Sequence, residues 1–227
     1  IDDFPRVKAW LARLAERGRQ RLDLYETSLE REIDKYAFFP ATLGLERDVL
    51  DLLANGGEEQ TSRINRYLAE LNKRAGSLSI YLLNSTGHVV ATSNWDQPDS
   101  FLGEALSYRP YFHDALAKQT GRFFGIGTTR GQPGYYLSSP ILADESLLGV
   151  AVVKVSLEQL ETSWSTVEAP VLVTDENGVV ILASVPSWKF TTLTPLSEER
   201  RNELAQSLHY NARPLPPLGL QSQGSVG

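Results

Sequence analysis

One stretch of this chain is written twice. Ile80-Tyr-Leu-Leu-Asn-Ser-Thr-Gly-His-Val-Val-Ala-Thr-Ser93 is echoed by Val171-Leu-Val-Thr-Asp-Glu-Asn-Gly-Val-Val-Ile-Leu-Ala-Ser184. Asn84 falls on Asp175, Gly87 on Gly178, Val90 on Ile181 and Ser93 on Ser184. Each copy reads as an apolar strand, an Asx-x-x-Gly turn in which glycine supplies positive φ, a second strand and a serine. Two such copies imply two related α+β modules in tandem.

What precedes the first copy has a helical period. From Phe4 to about Phe39 the apolar residues Phe4, Val7, Trp10, Leu11, Leu14, Tyr25, Leu29, Ile33 and Tyr36 recur mostly at three- and four-residue spacing. That predicts one long amphipathic helix, either packed along a domain or serving as a stalk that pairs with its copy in a dimer. Gly18 and the arginines at 13, 17, 19 and 21 interrupt the stripe, and Pro40 ends or kinks the helix. Short helices are predicted over Leu45–Leu53 and Glu59–Arg74, stopped by Asn55-Gly-Gly57 and Gly76. At Gly76 the period changes to that of strands, beginning with Leu78–Leu83 and His88–Thr92.

Between the two copies lie a short helix over Tyr111–Lys118, strands over Tyr135–Leu142 and Leu148–Val155, and a connecting helix over Leu157–Trp164. In the second module Trp188, Phe190, Leu193 and Leu196 are the expected core, and Ser197 caps a helix to Leu208. The proline-rich tail from Arg213 is an edge segment or a disordered end. The Asn84-Ser-Thr86 sequon is accounted for by turn chemistry.

Composition excludes several classes. The net charge of −6 comes from intermixed acids and bases, with no basic face for nucleic acid. There is no cysteine, hence no disulfide or thiolate metal site. With no methionine either, the chain reads as a piece of a larger protein; no run reaches the ~20 apolar residues of a membrane span, and no signal peptide remains. The three histidines, His88, His113 and His209, have no metal spacing and read as surface or packing residues. HExxH, GxSxG and a cysteine nucleophile are absent, and Gly125-Ile-Gly127 with Gly131 fails the dinucleotide spacing. Asp144-Glu145 and Asp175-Glu176 lack the apolar surroundings that separate two carboxylate pKa values. Neither an enzyme nor a bound cofactor is expected.

The residues that do suggest chemistry are those of an anion pocket. Arg109 stands among the aromatics of Leu106-Ser-Tyr-Arg-Pro-Tyr-Phe112, and its planar fork of donors matches a carboxylate. Phe123-Phe-Gly-Ile-Gly-Thr-Thr129 reads as a glycine-rich turn whose backbone NH groups, including that of Gly127, approach an anion while Thr128 and Thr129 add hydroxyls. Lys154 lies in the apolar run Val150–Val155, so it either snorkels outward or faces a polar cavity; period two points it away from the face of Val153 and Val155. Of the tyrosines at 135 and 136, Tyr136 is assigned to the pocket, with Ser138 on the same face, and Tyr111 is a further companion. Two cations on opposite walls match a dicarboxylate and leave one charge unpaired by a monocarboxylate.

These motifs, with Pro133-Gly-Tyr-Tyr-Leu-Ser138, Val152-Val-Lys-Val155 and Ser187-Trp-Lys-Phe-Thr-Thr-Leu-Thr-Pro-Leu196, resemble the periplasmic sensor domain of DctB-type C4-dicarboxylate sensor histidine kinases. The resemblance covers nearly the whole chain. It implies a long N-terminal helix followed by two tandem PAS-like (PDC, dCache) modules, each an antiparallel sheet flanked by helices. Residues 1–76 would be the stalk and helices packing on a membrane-distal, ligand-binding module at 77–156. Residues 157–169 would connect it to a small membrane-proximal module at 170–227. Succinate, fumarate or malate would bind in the distal module through Arg109, Thr128 and Lys154. The resemblance further implies a periplasmic domain of a bacterial inner-membrane kinase, a homodimer through the N-terminal helix, and a response regulator and a dicarboxylate transporter as partners. A related pattern in amino-acid sensors, Tyr-x-x-Arg-x-Trp-Tyr with a later aspartate for the ligand amine, differs here at Leu106, Tyr111 and Phe112. Lys154 stands near the place of that acid, which favours a second carboxylate over an amine. The same fold on a chemoreceptor, binding another small carboxylate, is the alternative.

Overall fold

A computed structural model describes residues 4–117, 119–165 and 169–219, with side chains from residue 16 onward. It divides into two compact units, Ile1–Lys35 and Tyr36–Gly227. The first is a single helix, α1 (Phe4–Asp34), on which Leu22 and Leu24 are exposed. The expected continuation to Phe39 is not observed. The helix stops at Asp34, and Pro40 opens a new five-residue helix, α2 (Phe39–Leu43), where its missing NH is one the first turn leaves unpaired anyway. The five apolar positions from Phe4 to Leu14 have side chains outside the described set. No described helix is long and apolar enough to cross a membrane.

In the second unit, α3 (Arg47–Asn55) and α4 (Glu58–Ala75) fall where the periodicity placed them. Gly56 and Gly76, at φ 69° and 67°, close them. A five-stranded antiparallel sheet follows, built from β1 (Ser79–Asn84), β2 (Val89–Thr92), β3 (Gly121–Ile126), β4 (Pro133–Ala143) and β5 (Ser146–Val155), in the order β2-β1-β5-β4-β3. Bringing β5 beside β1 places the last strand at the centre, buried on both faces. That is why Val150–Val155 reads as an unbroken apolar run.

Strand alternation sorts the core into two. Ile80, Leu82, Ala151, Val153 and Val155 pack with Leu43, Val49, Leu52, Ile64 and Leu68 of the three helices. Tyr81, Leu83, Tyr136, Val150 and Val152 face the other way, against Phe101, Leu106 and α5 (Pro110–Leu116), which carries Tyr111 and Phe112. Lys118, the expected end of α5, lies outside the described residues.

The chain continues through α6 (Glu158–Trp164) into β6 (Leu172–Thr174) and β7 (Val180–Ala183), a 3-10 turn at Pro186–Trp188 and α7 (Glu198–Gln206). The two copied hairpins are reproduced bond for bond. Ile80 N–H donates to Ser93 Oγ at 3.0 Å and Val171 N–H to Ser184 Oγ at 2.9 Å. Asn84 Oδ1 accepts from the NH groups of Thr86 and His88, and Asp175 Oδ1 from those of Asn177 and Val179. Gly87 and Gly178 sit at φ 85° and 72°, and each first strand carries a register shift just before its Asx residue.

The second sheet is smaller than the first. It has two strands among the described residues, extended by bridges from Thr192 to Val179 and Pro217. Thr192 N–H donates to Pro216 O and Leu218 N–H to Thr192 O, so the proline-rich tail is an edge segment as far as it is described. Ser197 Oγ accepts Arg200 N–H as the expected cap of α7. Phe190 is core, but Leu193 is not: it lies beyond the Thr192 bridge and is 45% exposed.

Candidate functional site

Lys154 is where the fold concentrates charge in an apolar setting. The last residues of β5 alternate, so Val153 and Val155 enter the helix-side core and Lys154 enters the opposite one, with only 3% of its surface exposed. Its stem crosses β4 at Gly134, where an added Cβ would stand 2.4 Å from the lysine Cε. Only glycine admits that close approach. The ammonium donates to Gln132 O at 2.6 Å and lies 5.3 Å from the centre of the Tyr136 ring. Burial, with Arg109 and then Arg130 adding repulsion, brings its pKa down to about 8.

Arg109 ends the irregular segment before α5 and is 2% exposed. Its Nη2 donates to Ile126 O at 2.9 Å and its Nη1 to Leu208 O at 3.1 Å, while the guanidinium lies 5.4 Å from the centre of the Tyr108 ring. A surface ion pair is therefore not its role. Two of its donors tie the end of β3 to the turn that follows α7. That turn is itself docked on β3: Ile126 N–H donates to His209 O, and the His209 ring packs 4.4 Å from that of Phe123.

Arg109 and Lys154 line one narrow cavity, partly open to solvent, with Tyr111, Gly127, Thr128, Thr129 and Tyr136. Tyr111 stacks on Tyr136 at 5.5 Å and 21°, and its hydroxyl accepts from Tyr81 Oη at 3.0 Å. Burial pushes the Tyr136 phenol up to about 12, against the opposing effect of Arg109. Thr128 Oγ1 meets Tyr108 Oη at 3.3 Å at the cavity edge. Thr129 is exposed at the rim, and its hydroxyl donates to Glu104 Oε1 at 2.6 Å.

Two assignments made from sequence need correction. Ser138 does not line this cavity. It shares the face of Tyr136 but sits one pleat deeper, under the first turn of α5, where its Oγ accepts Gly121 N–H and donates to Tyr111 O. Nor is Phe123–Gly127 an open loop of free NH groups. Residues 121–126 are a paired strand, Ile126 N–H is taken by His209 O, and Gly127 N–H donates to Gln132 O at 3.1 Å.

Sequence reasoning missed four polar wall residues, Ser79, Tyr81, Glu104 and Arg130, and two apolar ones, Phe101 and Leu106. Tyr81 and Ser79 could have been found by extending period two along β1 once its pairing with β5 was known. Arg130 could not, because its place depends on the fold: it bonds Gln97 and Asp99 and lies 5.5 Å from the Phe101 ring centre. Among the described wall residues the charges are thus three cations, Arg109, Arg130 and Lys154, against Glu104.

A cation-rich cavity on one face of a five-stranded antiparallel sheet, with a second smaller sheet beside it, defines a ligand-binding sensory domain. No family model matches the chain. It is 33% identical to the sensor domain of the Vibrio cholerae histidine kinase DctB, covering 92% of this chain and 82% of that one at a TM-score of 0.86, and it belongs to the DctB sensor-domain family. It is also 38% identical over 209 residues to the C4-dicarboxylate transport sensor protein DctB of Pseudomonas aeruginosa, and 33% identical over 216 residues to that of Rhizobium meliloti. These alignments cover 92% and 95% of the chain but 34% and 35% of the relatives, so the chain spans about a third of their length. The sensory domain of the Campylobacter jejuni chemoreceptor Tlp3 shares the fold, at a TM-score of 0.65 and 16% identity over 87% of this chain and 80% of that one.

Proposed function

We propose that this chain is the periplasmic ligand-binding domain of a bacterial sensor histidine kinase and that its cavity takes a C4-dicarboxylate. The observation that carries the reading is Lys154, a buried cation whose ammonium has a single carbonyl partner and faces the same small cavity as Arg109. A buried charge without a counter-charge is costly, and a dianion bridging the two cations removes that cost. The names of the P. aeruginosa and R. meliloti relatives give the same ligand class. Arg109, Lys154, Thr128, Tyr111 and Tyr136 are the proposed contacts, with Thr129 at the rim.

On this reading residues 77–156 form the distal module, 157–169 the connection and 170–227 the proximal module, both PAS-like. The duplicated hairpin bonds support two related modules. Residues 1–76 supply the stalk and flanking helices, and the domain pairs as a homodimer through the N-terminal helix. The fragment catalyses nothing and holds no cofactor. The kinase, its response regulator and control of a dicarboxylate transporter belong to the rest of the protein. Signalling is a population shift, which requires the ligand to favour one of two states. Arg109 offers a route for it, since the group proposed to grip a carboxylate also holds Leu208 O.

Calorimetry with succinate, against acetate and aspartate, tests the reading. Saturable binding of succinate alone is the expected result, and a folded sample that binds no C4 acid overturns it. Sedimentation velocity with and without succinate tests the dimer.

A further inference from the structure

Resting on the dicarboxylate reading, we infer that Ser79 is a further ligand contact of this cavity, donating its hydroxyl to the carboxylate held by Lys154. Three observations lead to it. Ser79 opens β1 and lines the cavity, on the same face of the strand as Tyr81. Its Cα partner across the β1–β5 ladder is Lys154, so both side chains stand on one face at the separation of a directly opposed pair. Its Oγ is sealed from solvent and has no hydrogen-bond partner, in a residue only 1% exposed.

A hydroxyl in that state is a cost to the empty protein. Burying one unpaired is unfavourable, and alanine at the same position would remove the penalty without opening a large void. The neighbouring strand cannot relieve it, because Lys154 is a donor without acceptor capacity and has already turned to Gln132 O. No described group of the chain accepts from it, and a carboxylate drawn to Lys154 brings its oxygens to this wall. Ser138 shows the contrast. It is the other buried serine on this face of the sheet, and both hydrogen-bonding roles of its hydroxyl are used within the protein.

The same geometry assigns an end. Ser79 lies opposite Lys154, whereas Tyr108 and Leu208 O lie against Arg109. Ser79 therefore acts on the second carboxylate, the one that distinguishes a dicarboxylate from a monocarboxylate.

The test is succinate calorimetry and thermal melting of the 227-residue chain as wild type, Ser79→Ala and Ser138→Ala. Ser79→Ala is expected to weaken succinate binding about tenfold, the effect of one hydrogen bond to a charged group, while the ligand-free melting temperature stays level or rises. Ser138→Ala is expected to lower the melting temperature and to leave affinity within about twofold, a small change beside that of a charged hydrogen bond. Wild-type affinity in Ser79→Ala overturns the inference alone, as does a weaker affinity that comes with a lower melting temperature. A wild-type chain that takes up no C4 dicarboxylate overturns the dicarboxylate reading, and this inference with it.

Discussion

The two hairpins of this protein differ in what surrounds them, not in themselves. Both have the same Asx turn, the same glycine at positive φ, the same register shift and the same terminal serine bonding the first strand. Around the first, β5 inserts beside β1, and Arg109, Lys154 and three tyrosines, Tyr81, Tyr111 and Tyr136, converge on a cavity. The second remains a two-stranded sheet, and its turn is engaged by the protein itself. Tyr210 Oη donates to Asp175 Oδ2, His209 Nε2 lies 3.9 Å from the same oxygen, and Arg200 Nε donates to Asn177 Oδ1. The hairpin is a scaffold. Whether it borders a binding site depends on which elements the rest of the chain lays against it.

The largest expected effect comes from Lys154. Lys154→Met should abolish measurable succinate binding, a loss of at least about a hundredfold, because it deletes one of two buried charge partners. The same change should raise the melting temperature of the ligand-free chain, since it removes a buried cation and keeps the volume of the stem. Binding that survives would mean that Lys154 is not a partner of the ligand at the site the first hairpin borders.

Arg109→Lys is expected to lower both affinity and stability, by about 2 kcal/mol for the latter, because a point charge cannot reach Ile126 O and Leu208 O together. A melt that separates into two transitions would show that this residue couples the two sheets.

The third effect is on pH dependence. Lys154 has a folded pKa near 8, below its unfolded value, because its charge is desolvated. The penalty on the empty protein is therefore full below about pH 8 and fades as pH rises toward the ordinary lysine value. Binding has the opposite trend, since the dianion needs the ammonium. Succinate affinity should fall about fivefold between pH 8 and 9 in the wild type, checked by calorimetric titration across that range. A flat profile would remove Lys154 from the ligand.

The smallest effects compare the turns directly. Asn84→Ala should cost about 1 kcal/mol, the loss of a turn-capping side chain. Asp175→Ala should cost about twice that in chemical denaturation, because Tyr210 loses its acceptor as well. Equal costs would mean that the contacts to the second turn add nothing to stability.

Much of this was legible in the chain. The repeat is visible because Asx, glycine and serine each meet a local backbone requirement that packing does not alter. The face of Lys154 follows from period two, and the same alternation puts Tyr135 and Tyr136 on opposite faces; the structure places Tyr135 against the helix-side core and Tyr136 in the other. What misled was also local. The sequence 123–127 looks like an anion loop because glycine permits one, but pairing with β4 and the arrival of His209 consume its NH groups. Ser138 has the correct parity, and parity says nothing of depth along a strand.

Sequence by itself determined most of the element types, the duplicated turns, the lysine set in an apolar strand and the arginine among aromatics, since each follows from covalent geometry, spacing or side-chain chemistry over a few residues. Only the tertiary structure decided that Arg109 grips Leu208 O from the far end of the chain, that Arg130 joins the wall, and that Ser79 stands unpaired across from Lys154. These depend on contacts between residues 31 to 99 positions apart in sequence, or on strand β5 returning to pair with β1. No local rule fixes such contacts. They are set by the packing of the whole sheet, where burial removes water as an alternative partner and every polar group must find its match within the fold or in a ligand.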